Sequence, residues 1–342
     1  MMKHKHILVF NSINKSNIKY TYSFGNTDGV ELRICKNGFQ ITAELTKIYD
    51  KEEMLSGNTY MFPDAIRKAL LIYLLTYSKG LIIKSITFKI DDEEDTIVFD
   101  NEPVPPIYSM INGKLNRKLP VAFSSKPVID FVLKTTKSNY GKMTAALFAL
   151  ITSKSKSYEI ERFIYLWAAF NAMYGYFASI VKAQRADEIK VDTVSECNQI
   201  KYLLRLFKIG NNHIPKKRSK FIANSIKSYL YGISSNANRE FFFQKSIVEA
   251  IENKLVDQNG IKYNITAYGY LLTQFSYYYR CNYFHGNKPV ILFTYADDAD
   301  LHCLKIVNNL LEEFIEEYLP NFLDNDYINN TLIPTARTII LK

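Results

Sequence analysis

The segment Tyr277-Tyr278-Tyr279-Arg280-Cys281-Asn282-Tyr283-Phe284-His285-Gly286 places a permanent cation and an imidazole in one short aromatic stretch. Histidine is scarce, with five in the chain, and His285 has a cation and an amide close by in sequence. An arginine fork matches the geometry of a phosphate. A histidine moves protons near neutral pH. Together they are a minimal kit for cleaving a phosphodiester without a metal.

A helical pattern from Ile265 to His285 must position both groups. At about 100° per residue, Tyr268, Leu271, Leu272, Tyr278 and Tyr279 fall within about 60° of Phe275 and define the buried stripe. Asn282 falls about 20° from its centre, so its amide must find partners. His285 sits at the stripe edge and Arg280 on the other side, about 140° apart with about 7.5 Å of rise between them. An ideal helix therefore does not bring the two together. Either the helix unwinds at its end, as Gly286 and Pro289 allow, or Arg280 faces a second chain.

Two halves of different periodicity carry this helix. Residues 1–120 alternate as strands at Ile7–Phe10, Ile18–Phe24, Val30–Cys35, Phe39–Ile48, Ile82–Ile90 and Thr96–Phe99. A helix over Pro63–Ser78 interrupts them, and the acidic turn Asp91-Asp92-Glu93-Glu94 joins the last two. The expectation is an α+β chain that opens with a small, mostly antiparallel sheet domain carrying one helix. Asn101 through Arg117 reads as a linker. From 121 to 325 the period is helical, with helices expected at 127–136, 141–153, 158–182, 194–208, 218–232, 239–255, 265–285 and 297–319. In the helix at 158–182, Phe163, Leu166, Trp167, Phe170, Met173, Tyr174, Phe177 and Val181 form one stripe. Leu304, Val307, Leu311, Phe314 and Tyr318 form another in the last helix. Residues 326–342 read as a C-terminal tail.

Composition narrows the function classes. Hydrophobic residues are 47% and charged ones 23%, an ordinary globular balance. No apolar run is expected to reach membrane-span length, and no leader pattern follows Met1, so a cytoplasmic protein without a membrane role is expected. Cys35, Cys197, Cys281 and Cys303 are widely spaced, which supports neither a zinc ribbon nor a disulfide framework. The net charge of +9 suits a polyanionic partner such as RNA.

Arg280-Cys281-Asn282-Tyr283-Phe284-His285-Gly286 resembles the Arg-x4–6-His motif of the HEPN superfamily, the higher eukaryotes and prokaryotes nucleotide-binding domains. Phe163 through Gly175 resembles the earlier long helix of its defence-associated, ApeA-like members. The resemblance covers roughly residues 155–320. It implies an all-α HEPN-like bundle and a metal-independent endoribonuclease, a toxin or an antiviral defence protein, that needs no cofactor. It also implies a homodimer through the helical domain, with two Arg–His motifs lining one cleft. His285 would handle the proton of the 2′-hydroxyl or of the leaving oxygen, Arg280 would hold the scissile phosphate, and Asn282 would orient one of them. The products would be 2′,3′-cyclic phosphate and 5′-hydroxyl ends. Two positions depart from the pattern: Cys281 follows the Arg where many active members have a polar residue, and Asn287 stands where antitoxin-paired members carry a Tyr.

Lys288, Lys216, Lys217 and Arg218 are candidate phosphate-backbone contacts, and Tyr279 is a candidate for stacking on a base. A Cys281–His285 nucleophilic pair lacks a third orienting group. Asp297, Asp298, Asp300 and His302 stand at a helix start, where capping accounts for them without a metal. The first domain, with no catalytic constellation, is expected to bind a regulatory ligand or protein. The alternative readings are a non-catalytic RNA-binding or dimerisation module, and a purely structural bundle.

Overall fold

A computed structural model describes residues 2–12, 22–25, 30–35, 37–56, 61–77, 83–99, 115–135, 141–186, 276–284 and 298–339, with helical positions 196, 199, 200, 202, 203 and 206. The chain divides into two compact units, Met1–Tyr140 and Gly141–Lys342.

In the first unit, alternating sequence becomes β1 (His4–Ser12), β2 (Tyr22–Gly25), β3 (Val30–Cys35), β4 (Gly38–Leu45), β5 (Ile83–Ile90) and β6 (Glu93–Val98). They form one sheet in the order β2-β3-β4-β1-β5-β6, and every neighbouring pair is antiparallel. The register aligns Leu8 with Ile41 and Phe88, and Phe10 with Phe39 and Ile86, so one face collects buried side chains. The turn into β4 requires glycine. Gly38 has φ 144°, and a Cβ there would lie 1.7 Å from the Phe10 carbonyl oxygen.

Two helices lie between β4 and β5: α1 (Lys51–Ser56), which the alternating pattern did not signal, and α2 (Met61–Tyr77). From Ala65 to Leu75, α2 is buried at every position except Arg67. A helix apolar on all sides needs cover on all sides. The sheet covers one face of α2 through β3 and β4; a 3-10 turn (Val121–Ser124) and α3 (Lys126–Lys134) also pack on it. That demand moves the division of the chain. The sequence placed it near residue 120, with α3 in the helical half, whereas α3 completes the core of the first unit.

The described part of the second unit contains α4 (Lys142–Ser155), α5 (Glu159–Gln184), α6 (Ser276–Phe284), α7 (Asp298–Phe322) and α8 (Ile333–Thr338). α5 is the central helix, packed on α4, α7 and α8. Every residue of the two expected stripes is buried, from Phe163 to Val181 on α5 and from Leu304 to Tyr318 on α7. By length and composition α5 could cross a membrane, which the sequence reading had not anticipated, but 56% of its apolar window is buried inside the fold. Residues 325–338 are helical rather than a loose tail. Leu332, Ala336 and Ile339 are fully buried, and α8 packs on α5, because the apolar surface of α5 there needs cover. The chain is thus α+β, an antiparallel sheet unit followed by a helical one.

Candidate functional site

α6 presents Ser276 and Tyr279 to the interior, with 0% and 1% of their surfaces exposed. Their spacing of three residues is the inward stripe of a short helix. The Tyr279 ring packs edge-on against Phe163 of α5 at 6.3 Å. Tyr279 therefore belongs to the core and not to an RNA-facing surface, because the stripe that carries apolar contacts turns it inward.

The next residue on α6, Arg280, is partly exposed and held within its own chain. Its Nη2 lies 3.4 Å from Glu196 Oε2. Its guanidinium carbon sits 5.5 Å from the centre of the Tyr277 ring, a cation–π distance. Its Nη1 approaches the free thiol of Cys281 at 4.0 Å. The sequence-based geometry turned Arg280 outward, opposite the buried stripe. The stripe actually centres on Ser276 and Tyr279, which brings Arg280 round to Glu196.

Glu196 is anchored from its other side. The Tyr174 hydroxyl donates to Glu196 Oε1 at 2.5 Å. Burial, and then the hydrogen bond to Glu196, push the Tyr174 phenol far above its ordinary range, so it stays protonated as a donor. Tyr174 is 1% exposed and packs against Phe170 and Trp167 at 5.3 and 6.4 Å. Trp167 also meets Tyr277 at 6.2 Å. Burial also raises the Tyr277 phenol, with Cys281 adding to the shift. Burial works against the Arg280 charge, but Cys281 and the Glu196 carboxylate outweigh it and hold the guanidinium firmly protonated.

Beside this cluster, Lys142 Nζ at the start of α4 donates to the Gly175 carbonyl at 2.8 Å. A Cβ on Gly175 would lie 3.1 Å from that ammonium and 3.6 Å from Gln199 Oε1. Glu196 and Gln199, three residues apart, thus meet α5 at adjacent positions, Tyr174 and Gly175.

Other expected site residues fall elsewhere. His285, Lys288, Lys216, Lys217 and Arg218 lie outside the described residues, as does the helical pattern before Ser276. Asn282 is on α6, and its side chain is likewise outside the description. Asp298 opens α7.

A second polar cluster, unforeseen from sequence, joins α4, α5 and α7. Glu312 lies between two buried cations, Lys154 Nζ at 2.6 Å and the Arg162 guanidinium in direct contact. Lys154 also contacts Glu316, and Arg162 Nη1 reaches Glu159 Oε2 at 3.0 Å. Asn308 Nδ2 donates to the Glu159 carbonyl and to its Oε2, both at 2.7 Å. Arg162 and Lys154 are 1% and 3% exposed. A signal existed: Asn308, Glu312 and Glu316 recur every four residues along a helix whose other positions are largely apolar.

Compared with protein-family models, with curated proteins and with solved structures, the chain matches none.

Proposed function

We propose that the chain is a metal-independent endoribonuclease of the HEPN type, a toxin or antiviral defence protein that acts as a homodimer through its helical unit. The supporting observation is Arg280, a partly exposed guanidinium on α6 next to a packed aromatic core, at the head of the Arg-x4-His sequence. In this reading Arg280 holds the scissile phosphate and the charge that develops on it. His285 moves the proton of the ribose 2′-hydroxyl or of the leaving 5′-oxygen, and Asn282 orients one of the two. Lys288 and the Lys216-Lys217-Arg218 run follow the RNA backbone. The first unit senses a regulatory ligand or protein.

A second reading is a non-catalytic RNA-binding or dimerisation module. The pairing of Arg280 with Glu196 favours it, because a neutralised cation grips phosphate less strongly. One experiment separates the two. Total RNA is incubated in EDTA with wild type, His285→Ala and Arg280→Lys, and the ends are mapped. The ribonuclease reading expects 2′,3′-cyclic phosphate ends from wild type, and a loss of about 10²–10⁴-fold in His285→Ala. Arg280→Lys is also impaired, since an ammonium cannot reproduce the fork. Equal cleavage by wild type and His285→Ala ends this mechanism. RNA binding without cleavage leaves the binding module. Light scattering at micromolar concentration tests the dimer.

A further inference from the structure

We infer that Glu196, fixed by Tyr174, is a positioning residue that sets the guanidinium of Arg280 for an RNA phosphate. This rests on the reading of Arg280 as the phosphate-holding cation. The contacts form a closed circuit: Trp167 to Tyr174, Tyr174 to Glu196, Glu196 to Arg280, Arg280 to Tyr277, and Tyr277 back to Trp167. Tyr174 and Trp167 are both buried on α5, so both arms of the circuit end on the same rigid helix.

Two groups hold the guanidinium from different sides: the Tyr277 ring, 5.5 Å from its central carbon, and Glu196 Oε2, 3.4 Å from Nη2. Glu196 cannot swing away without giving up the Tyr174 hydroxyl on its other oxygen. Ordering a long side chain before substrate arrives removes that cost from the reaction. Arg280 has 23% of its side chain exposed, enough to be reached while it is held.

The full-length protein tests this in two independent ways. The first is NMR of arginine-labelled protein, with the Arg280 signal assigned by its loss in Arg280→Lys. In wild type the two Nη groups should be inequivalent, with slow rotation about Nε–Cζ. Glu196→Ala should average them. Glu196→Gln, which can turn its single oxygen to Arg280 and donate its amide N–H to the Tyr174 hydroxyl oxygen, should restore part of the inequivalence. Tyr174→Phe, which keeps the core volume, should average them partly. The second is RNA cleavage in EDTA. Glu196→Ala should lower kcat about ten-fold with KM little changed, and Glu196→Gln should recover part of that loss. An unchanged far-ultraviolet circular dichroism spectrum shows that each variant is folded.

Averaged Nη signals in wild type overturn the inference whatever the activity. So do variants that cleave like wild type, and that result leaves the ribonuclease reading standing. If wild type yields no cyclic-phosphate ends, the ribonuclease reading falls. The NMR arm then decides alone whether Glu196 and Tyr174 position Arg280.

Discussion

The two units handle interior polar groups in opposite ways. In the sheet unit, buried polar side chains serve the backbone. The Tyr73 hydroxyl accepts from the Gly38 N–H at 3.0 Å, and His6 Nε2 accepts from the Tyr49 N–H at 3.1 Å. Lys68, nearly buried, pairs locally with Asp64 one turn back on α2. In the helical unit the interior ionic groups serve one another across the fold. Lys154 on α4, Arg162 on α5 and Glu312 on α7 meet in one cluster. The reason lies in the elements. Helices satisfy most of their own backbone groups, whereas turns and strand ends leave N–H groups that need acceptors. Three packed helices have a different need, since apolar stripes alone permit sliding. A buried ionic cluster penalises every register but one.

The largest effect follows from breaking that cluster. Glu312→Ala takes away the carboxylate that Lys154 and Arg162 share and leaves them Glu316 and Glu159, a loss of up to about 3–5 kcal/mol, the figure for a wholly unpaired buried charge. The chain has a single tryptophan, Trp167, in the core of the second unit, so its emission during urea unfolding reports that unit. A Trp167 midpoint within error of wild type would show that the charges are not needed there. A sharper variant replaces Lys154, Arg162, Glu312 and Glu316 together by apolar residues of similar volume. If the cluster chiefly sets register, stability holds or rises while the Trp167 environment becomes heterogeneous.

The sheet unit should fail by geometry instead of charge. Gly38→Ala forces a side chain into a left-handed backbone and against the Phe10 carbonyl, at a cost of about 1–3 kcal/mol for the backbone alone. Tyr73→Phe is milder, at about 1–3 kcal/mol for a buried N–H left unpaired, offset in part if water enters. Both should shift strand-region hydrogen exchange and leave the Trp167 transition in place. A matching shift in Trp167 would merge the two units into one cooperative block.

The same contrast explains what sequence could show. Among the described residues, strand and helix placement was legible because burial here follows one-dimensional periods; the helices expected at 218–232 and 239–255 lie outside them. β3 begins and ends at the expected residues, and both aromatic stripes are core. α3 was assigned to the wrong neighbour because periodicity says that a face is buried but not against what. The ionic cluster pairs residues about 150 positions apart, such as Arg162 and Glu312, and no local window contains both. Of the candidate site, Arg280 was legible as a cation in an aromatic setting. Glu196 was not, since a lone carboxylate on a helix of mixed composition reads as solvated surface. Helix phase puts Tyr279 on the buried stripe, and the structure keeps it there; its candidacy for base stacking rests on residue type alone and fails because a ring inside the core cannot reach RNA.

The finest test of the contrast is the sign of the pH response. Burial lowers the His6 pKa below its ordinary 6.5. Its Nε2 accepts from Tyr49 and its Nδ1 lies 3.1 Å from the His4 carbonyl, an arrangement suited to the neutral ring. A folded pKa below the unfolded one means that the unfolded chain takes the proton first. The stability His6 contributes is full above about 6.5 and is lost as pH falls through the folded value. Glu316 has the reverse sign. Burial, the largest influence, raises its pKa above 4.5 despite Lys154. The folded state then takes the proton first, so its stabilising effect is full below about 4.5 and is lost as pH rises through the raised value. Differences between wild type and His6→Gln, and between wild type and Glu316→Gln, isolate each group from the other carboxylates. Plotted against pH, the first difference should fall on acidification, followed by hydrogen exchange in the sheet unit. The second should rise on acidification, followed by Trp167 emission. Two slopes of the same sign would mean that the interior of one unit does not treat charge as its contacts indicate.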